Sequence, residues 1–382
     1  MAHRIFLQYY SRRNFGDDLF VRLFSEYFSD CKVELLCNPL YLPKKLGPNV
    51  QISPFSWTAL VAGLLQARAR KAAVTKYATK LFAWSVSKGQ KKAKASVLIG
   101  GSIFKDNPTQ NQEICFDISS EIYRDYSFNS QVLSNRGEFI IGANLGPAFH
   151  ESYFEGMEQM VKQYRHVCLR DYASYCQLKN CPNVQYAPDV VFTMKPIRKI
   201  PAEKTVAIQV MDIAHHTSNR QIIQSYYTLL CSAIDWFRKR EHKIYLVSFC
   251  KREGDEAGIN CLLSRIPDRQ GIEVLRYTGE IDSVIDCFSN ASFVIASRFH
   301  SLILAAVCGK PVFPISYSCK TSHYLQDLQF AGNYATLDML PEISAEDVIY
   351  NYEKETVCDT ENHHAFACNQ FAALRWFLDH ST

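Results

Sequence analysis

The sequence has no C-x-x-C pair and no cysteine spacing of zinc-finger rhythm, although it holds 14 cysteines in 382 residues. Dithiol redox motifs and zinc ribbons are therefore excluded as readings. No run of about 18 apolar residues is present, so nothing reads as a membrane span. The opening MAHRIFLQYY lacks an apolar core of signal-peptide length. Cys168, Cys250, Cys287 and Cys308 sit inside apolar runs, where a thiol behaves as a small hydrophobe. Together these absences imply reduced cysteines and a cytoplasmic protein. There is no internal repeat and no low-complexity tract.

Acidic residues are missing from the whole stretch Leu35–Lys105. That stretch carries Lys44, Lys45, Arg68, Arg70, Lys71, Lys76, Lys80, Lys88, Lys91, Lys92, Lys94 and Lys105. Phe55, Trp57, Leu60, Leu64, Leu65, Tyr77, Leu81, Phe82 and Trp84 interleave them. A basic amphipathic segment of this kind, 44–105, can lie on an anionic membrane surface. Each basic residue near such a surface is worth about 1 kcal/mol. The plainer alternative is a solvated helix face. No nucleic-acid reader motif accompanies the charge, so nucleic acid is not an expected partner.

With 47% apolar and 21% charged residues the chain reads as globular, and its length suggests two domains. Apolar runs of strand length alternate with longer amphipathic stretches. Strands are expected at Arg4–Tyr9, Lys32–Cys37, Ser96–Ile99, Glu138–Gly142, His166–Leu169 and Val184–Tyr186. A Pro- and Lys-rich stretch, Met194–Lys204, reads as a linker. The alternation then restarts with Thr205–Val210, Lys243–Phe249, Glu273–Leu275, Phe293–Ala296 and Val312–Ile315. Strands alternating with helices indicate parallel sheets covered on both faces. The expected fold class is α/β, two doubly wound Rossmann-like domains facing a cleft. The first would span 1–198 on the acceptor side and the second 199–343 on the donor side. C-terminal helices over 344–382 would pack back on the first domain.

In such sheets ligands bind beyond the carboxyl ends of the strands. The residues there are Asn14 and Gly16, then Gly100, Gly101 and Ser102, then Asn144, Arg170, Asp171 and Asp189. In the second half they are Ser297-Arg298-Phe299-His300-Ser301, Tyr317 and Lys320. Single glycine turns are ordinary in this class. The segment Ala291–Thr321 is more specific, because a buried strand runs directly into Arg-x-His at the opening of an apolar helix. An arginine, an imidazole and free helix N–H groups would converge on a spot suited to a small anion.

At this point the sequence resembles the polysaccharide pyruvyltransferase family. NFGDD, the Gly-Gly-Ser turn, LRD, APDVVF and SRFHSLILAAVCGKPVFPISYSCK carry the resemblance, from about Asn14 to Lys320. It implies a fold similar to the type B glycosyltransferases and phosphoenolpyruvate as donor. Arg170, Arg298, Phe299 and His300 match the family's donor-site positions. Phe299 stands where Leu is usual, and Ser102 where many members have a third Gly.

On that resemblance Arg170 and Arg298 would grip the donor's carboxylate and phosphate, helped by Phe299, Ser301 and Lys320. His300 would protonate the methylene carbon as general acid. Asp17, Asp171 or Asp189 would take the proton of the sugar hydroxyl. Asn14, Gly16, Gly100, Gly101, Ser102, Asn144, Asp189 and Tyr317 would line the cleft. No metal and no cofactor beyond the phosphoenolpyruvate co-substrate is required. The acceptor would be a sugar or a lipid-linked oligosaccharide precursor of a capsule or other surface polysaccharide, with the enzyme peripheral at the inner face of the cytoplasmic membrane. The tail Cys358, His363, His364 and Cys368 fits no standard zinc pattern. Two alternatives stay open: a nucleotide-sugar glycosyltransferase of the same architecture, or a non-catalytic sugar- or anion-binding member. No acidic pair at a strand end is evident to hold a ribose.

Overall fold

A computed structural model describes residues 2–67, 72–104, 106, 138–149, 152–201 and 203–381. The chain divides into two compact units. One comprises Met1–Arg12, Asp17–Thr193 and Ala365–Thr382; the other comprises Arg13–Gly16 and Met194–His364. The division falls five residues before the sequence boundary. The return to the first unit begins at Ala365 rather than 344. The reason is local: helix Ala345–Glu353 packs on helix Arg220–Arg238 and on the strand Val312–Ser316, and so stays with the second unit.

The first unit is built on a seven-stranded parallel sheet of order β3-β2-β1-β4-β5-β6-β7. These strands are β1 Arg4–Tyr9, β2 Lys32–Leu36, β3 Val50–Ile52, β4 Ala95–Ile99, β5 Phe139–Ala143, β6 His166–Leu169 and β7 Val184–Tyr186. β1, β4 and β5 are buried along nearly their whole length, as a sheet covered on both faces requires. Gly89, in helix Ala72–Lys92, lies against the ring of the fully buried Phe6, and a methyl group there would overlap that ring. This glycine lets the helix approach β1. Helix Asn369–His380 is clasped by aromatic packing of Phe371 on Phe24 and Phe28 and by paired hydrogen bonds from Arg375 to Asp30 at 2.8 Å.

The second unit has a six-stranded parallel sheet of order β10-β9-β8-β11-β12-β13. Its strands are β8 Thr205–Gln209, β9 Lys243–Ser248, β10 Ile272–Arg276, β11 Phe293–Ala296, β12 Val312–Ser316 and β13 Ala335–Thr336. Helix Arg220–Arg238 shows how the sequence writes this packing. Ile222, Tyr226, Tyr227, Leu229, Leu230, Ala233, Ile234 and Phe237 recur at three- and four-residue spacing and are all buried. Each such side chain contributes about 1.5–3 kcal/mol when removed from water. Asn219 caps the helix by accepting from the N–H groups of Gln221 and Ile222.

In both sheets the strand order reverses next to the first strand of the unit, between β1 and β4 and between β8 and β11. Those are the switch points at which doubly wound sheets bind ligands. β11 ends at such a point, directly before Arg298 and His300.

Candidate active site

In the second unit Arg298 is the N-cap of helix Phe299–Val307. Its backbone N–H donates to Gln209 Oε1 at 2.7 Å, joining the ends of β11 and β8. Its guanidinium is buried and surrounded by acceptors. Nε and Nη2 donate to Asp255 Oδ1 at 2.8 and 2.5 Å, Nη1 donates to the Glu253 carboxylate, and Nη2 also reaches the Glu253 carbonyl at 3.2 Å. Asp255 is fully buried and further accepts from the N–H groups of Phe249 and Cys250, at 2.7 and 2.9 Å, and from Gln209 Nε2 at 3.2 Å. All these partners are donors, which favours the carboxylate, while burial pushes the Asp255 pKa up against them. Burial works against the charge on Arg298, but Asp255 and Glu253 outweigh it and raise its pKa further. Arg298 ties the turn after β9 to the end of β11, at the position where the sequence reading expects an anion clamp.

Glu253 and Asp255 form an acidic pair beyond a strand, and both face Arg298. The pair follows β9 across the left-handed Gly254 (φ 89°). It was hidden because four residues of loop and 3₁₀ turn separate β9 from Glu253. Glu253 accepts from Asn14 Nδ2 at 3.1 Å, and Asn14 Oδ1 in turn accepts from the Gly16 N–H at 3.1 Å. The Phe15 N–H donates to the Phe249 carbonyl at 3.1 Å, and the Phe15 ring packs on Phe249 and Tyr277. The segment Asn14–Gly16 is thus sewn to the end of β9.

That stitching presses Gly16 onto His300. A methyl group on Gly16 would overlap the imidazole at Nδ1, Cγ and Cε1. Only glycine leaves room for the ring, which sits half-buried in the first turn of helix Phe299–Val307. Phe299 backs it, with its ring 5.5 Å from the imidazole and 5.3 Å from buried Tyr324. Ser301 is fully buried and donates to the Arg298 carbonyl at 2.5 Å, so its hydroxyl serves the helix rather than a ligand. Tyr317 packs against His216, with ring centroids 4.3 Å apart. Lys320 lies in the first turn of helix Cys319–Asp327, and its side chain is outside the described ones.

In the first unit Arg170 follows β6 and is likewise a buried strut. Nη1 donates to Asp189 Oδ2 at 2.9 Å and Nη2 to Asn144 Oδ1 at 2.8 Å. Burial raises the Asp189 carboxyl and Arg170 opposes it; the Val191 N–H also donates to Asp189, at 2.9 Å. Gly101 lies against the Arg170 guanidinium, where a methyl group would overlap it. Asn144 Oδ1 accepts from Ser102 Oγ at 3.3 Å, and its backbone N–H donates to the Gly101 carbonyl at 2.9 Å. Gly100 donates to the Ile141 carbonyl at 3.1 Å, extending the β4–β5 ladder by one bond. Here the structure gathers Gly101, Ser102, Asn144, Arg170 and Asp189, all named from sequence, but as a mutually satisfied network. Asp189, fully buried and paired, is not placed to act as a base.

Asp171 caps helix Tyr172–Leu178, accepting from the Ser174 N–H at 2.7 Å and Ser174 Oγ at 2.8 Å. Its carboxylate makes the helix cap at the position the sequence reading offers as a base. Asp17 is half-buried in the first turn of helix Phe15–Tyr27. Gln370, from the C-terminal helix, was not foreseen. It accepts from the Gly142 N–H at 2.9 Å and donates to the carbonyls of Ala187 and Pro188, at 2.8 and 3.1 Å, anchoring the loop that carries Asp189. An amide more than 180 residues away in sequence leaves no local signal of such a role.

Among the described residues no group of three or more His, Cys, Asp or Glu could hold a metal ion, and Cys358 and Cys368 form no such cluster with His363 and His364. Burial pushes the thiols of Cys37, Cys287, Cys308 and Cys358 up to about 12, which disfavours their thiolate forms.

The sequence pattern of the polysaccharide pyruvyl transferases matches residues 14–318, which span the Asn14–Gly16 segment, both arginine networks and His300. The chain belongs to this family. No curated protein matches it by sequence. Among solved structures, UDP-GlcNAc 2-epimerase from Neisseria meningitidis is similar with a TM-score of 0.56 and 10% identity over 98% of this chain and 100% of that one. The Methanocaldococcus jannaschii UDP-GlcNAc 2-epimerase gives 0.57 and 9%, over 99% and 100%. At such identities the likeness establishes the fold. This family member has two Rossmann-like domains of the kind found in the UDP-GlcNAc 2-epimerases. No described helix is long and apolar enough to cross a membrane.

Proposed function

We propose that this pyruvyl transferase takes its three-carbon unit from phosphoenolpyruvate and forms a pyruvate ketal across two hydroxyls of a sugar, releasing phosphate. The observation that carries the reading is His300, braced by Gly16 and Phe299 at the opening of a helix beyond the switch point of its sheet, inside a family match that covers most of the chain.

His300, protonated, gives its proton to the methylene carbon of the donor. The adjacent carbon becomes electrophilic and bonds to the first sugar oxygen. Phosphate then leaves with its bridging oxygen, and the second sugar oxygen closes the ring. Of the two hydroxyl protons, one restores His300 and the other ends on phosphate. Asp171 and Asp189 have structural tasks, and Asp17, the neighbour of Gly16 in sequence, is our choice for relaying the hydroxyl proton.

The donor's negative charge needs partners other than Arg170 and Arg298, whose charges are already balanced by carboxylates. We assign that contact to the first turns of helices Phe299–Val307 and Cys319–Asp327, which open beyond the adjacent strands β11 and β12, together with His300 and Lys320. The two arginines keep the turns in register. The acceptor we propose is a lipid-linked oligosaccharide on its way to a surface polysaccharide.

The test is phosphate release from phosphoenolpyruvate with a panel of free and lipid-linked sugars and no nucleotide sugar present, read with mass spectrometry of the sugars. A ketal product supports the reading. A strict requirement for a nucleotide sugar refutes it in favour of glycosyl transfer. His300→Asn should fold, bind donor and lose about 10²- to 10⁴-fold in turnover.

A further inference from the structure

Two helices of the first unit, Ser56–Ala67 and Ala72–Lys92, pack against each other. The first buries Ser56, Ala59 and Ala62 and turns Trp57, Val61, Leu64 and Leu65 outward. These four share one face at spacings of four, three and one residues. Trp57 is 58% exposed, Val61 49% and Leu64 48%, so the face is apolar and uncovered.

The second helix buries Ser85, Val86, Gly89 and Gln90 and exposes Tyr77, Lys80, Trp84, Lys88 and Lys91. Their spacing of three, four, four and three residues again makes a single stripe. Trp84 meets Phe55, just ahead of the first helix, edge-on at 5.8 Å. The Lys88 ammonium lies 5.8 Å from the Trp84 ring, and that of Lys92 lies 5.4 Å from Phe55. The ammonium groups thus lie over aromatic faces at the surface of the pair. Lys94 is excluded from the stripe, because its ammonium donates to the carbonyls of Leu378 and Ser381.

An exposed apolar face beside a stripe of lysines and aromatic rings, in a stretch without one acidic residue, is complementary to one kind of surface. Tryptophan and tyrosine favour the boundary between headgroups and hydrocarbon. Lysines at that depth meet anionic headgroups. Neither helix is long and apolar enough to span. We propose that this helical pair docks the protein on an anionic lipid bilayer, lying in the interface with Trp57, Val61, Leu64 and Leu65 at the acyl boundary and Lys80, Lys88 and Lys91 among the headgroups.

The experiment is co-sedimentation of the full chain with vesicles of phosphatidylcholine alone and of phosphatidylcholine mixed with phosphatidylglycerol. It contains neither donor nor sugar, so its result does not depend on the proposed reaction. The protein should partition onto the mixed vesicles, and rising salt should release it. Replacing Lys80, Lys88 and Lys91 together by Gln should weaken binding roughly a hundred-fold, about five-fold per lysine. Trp57→Ser should weaken it with little change in salt dependence. All four residues are exposed, and melting curves check that the variants fold. Equal binding to neutral vesicles, binding to neither kind, or retention by heparin or RNA without vesicle binding each overturns the proposal.

Discussion

Arg298→Met separates a strut from a ligand. The substitution keeps much of the side-chain bulk and removes the charge. Asp255, fully buried, would lose the bonds from Nε and Nη2 while keeping those from Phe249, Cys250 and Gln209. Glu253 would lose the hydrogen bond from Nη1 and keep the one from Asn14. Removing one side of a buried, hydrogen-bonded pair costs about 3–5 kcal/mol, because the carboxylate left behind is desolvated and unbalanced. For a domain of this size each kcal/mol moves the melting temperature by about 2–4 °C, so a fall of roughly 10 °C is expected. Adding Asp255→Asn should recover part of that loss, since the stranded charge disappears. The assay is calorimetric melting of the single and double variants alongside titration with phosphoenolpyruvate. A single variant that melts like the parent but binds donor far more weakly would refute the strut and restore Arg298 as an anion ligand.

Gly16→Ala should lower turnover about 10²-fold by displacing the imidazole, and the overlap should cost about 1–3 kcal/mol of stability; unaltered kcat would remove Gly16 as the residue that seats His300. Asp171→Ala should cost about 1 kcal/mol through the lost cap and leave turnover largely intact. A collapse of turnover at constant stability would instead mark Asp171 as the base. The hydrogen bonds from Arg375, with smaller charge and backbone contributions, hold the Asp30 carboxyl at about 2, below its usual 3.8. The folded value is the lower one, so the stabilisation is complete above the unfolded value and disappears as pH falls through the range from about 4 to 2. In Arg375→Gln the Asp30 midpoint, followed by carboxyl NMR, should rise toward the unperturbed value; a midpoint that stays near 2 would assign the depression to another cause.

The two sheets were legible because parallel strands buried on both faces write themselves as continuous apolar runs. Arg4–Tyr9, His166–Leu169, Val184–Tyr186 and Phe293–Ala296 stand where the pattern put them. The edge strands Val50–Ile52 and Ala335–Thr336 were not seen, being three and two residues long and only partly buried. The same period that located β11 located the helix opening at Arg298 and His300. It could not reveal what Arg298 touches. Its partners Glu253 and Asp255 lie more than 40 residues earlier, and an arginine at a strand end reads the same whether it faces a substrate or a buried carboxylate. Asp171 was ambiguous for a related reason: a carboxylate three residues before Ser174 is both a plausible base and an ordinary helix cap. The basic stretch could be read as amphipathic from its spacing, but only the fold separates Trp57 and Trp84, which are exposed, from Val86, which is not.

Because the chain passes between its two units at residues 12, 16, 193 and 364, neither unit is a continuous piece of polypeptide. On the ribosome the first sheet emerges early, yet the amide of Gln370 that fastens the Asp189 loop arrives only after nearly everything else has been made. A nascent chain halted after residue 193 would carry seven strands and no fastening. The last helix acts as a latch, set once translation has delivered the whole second unit.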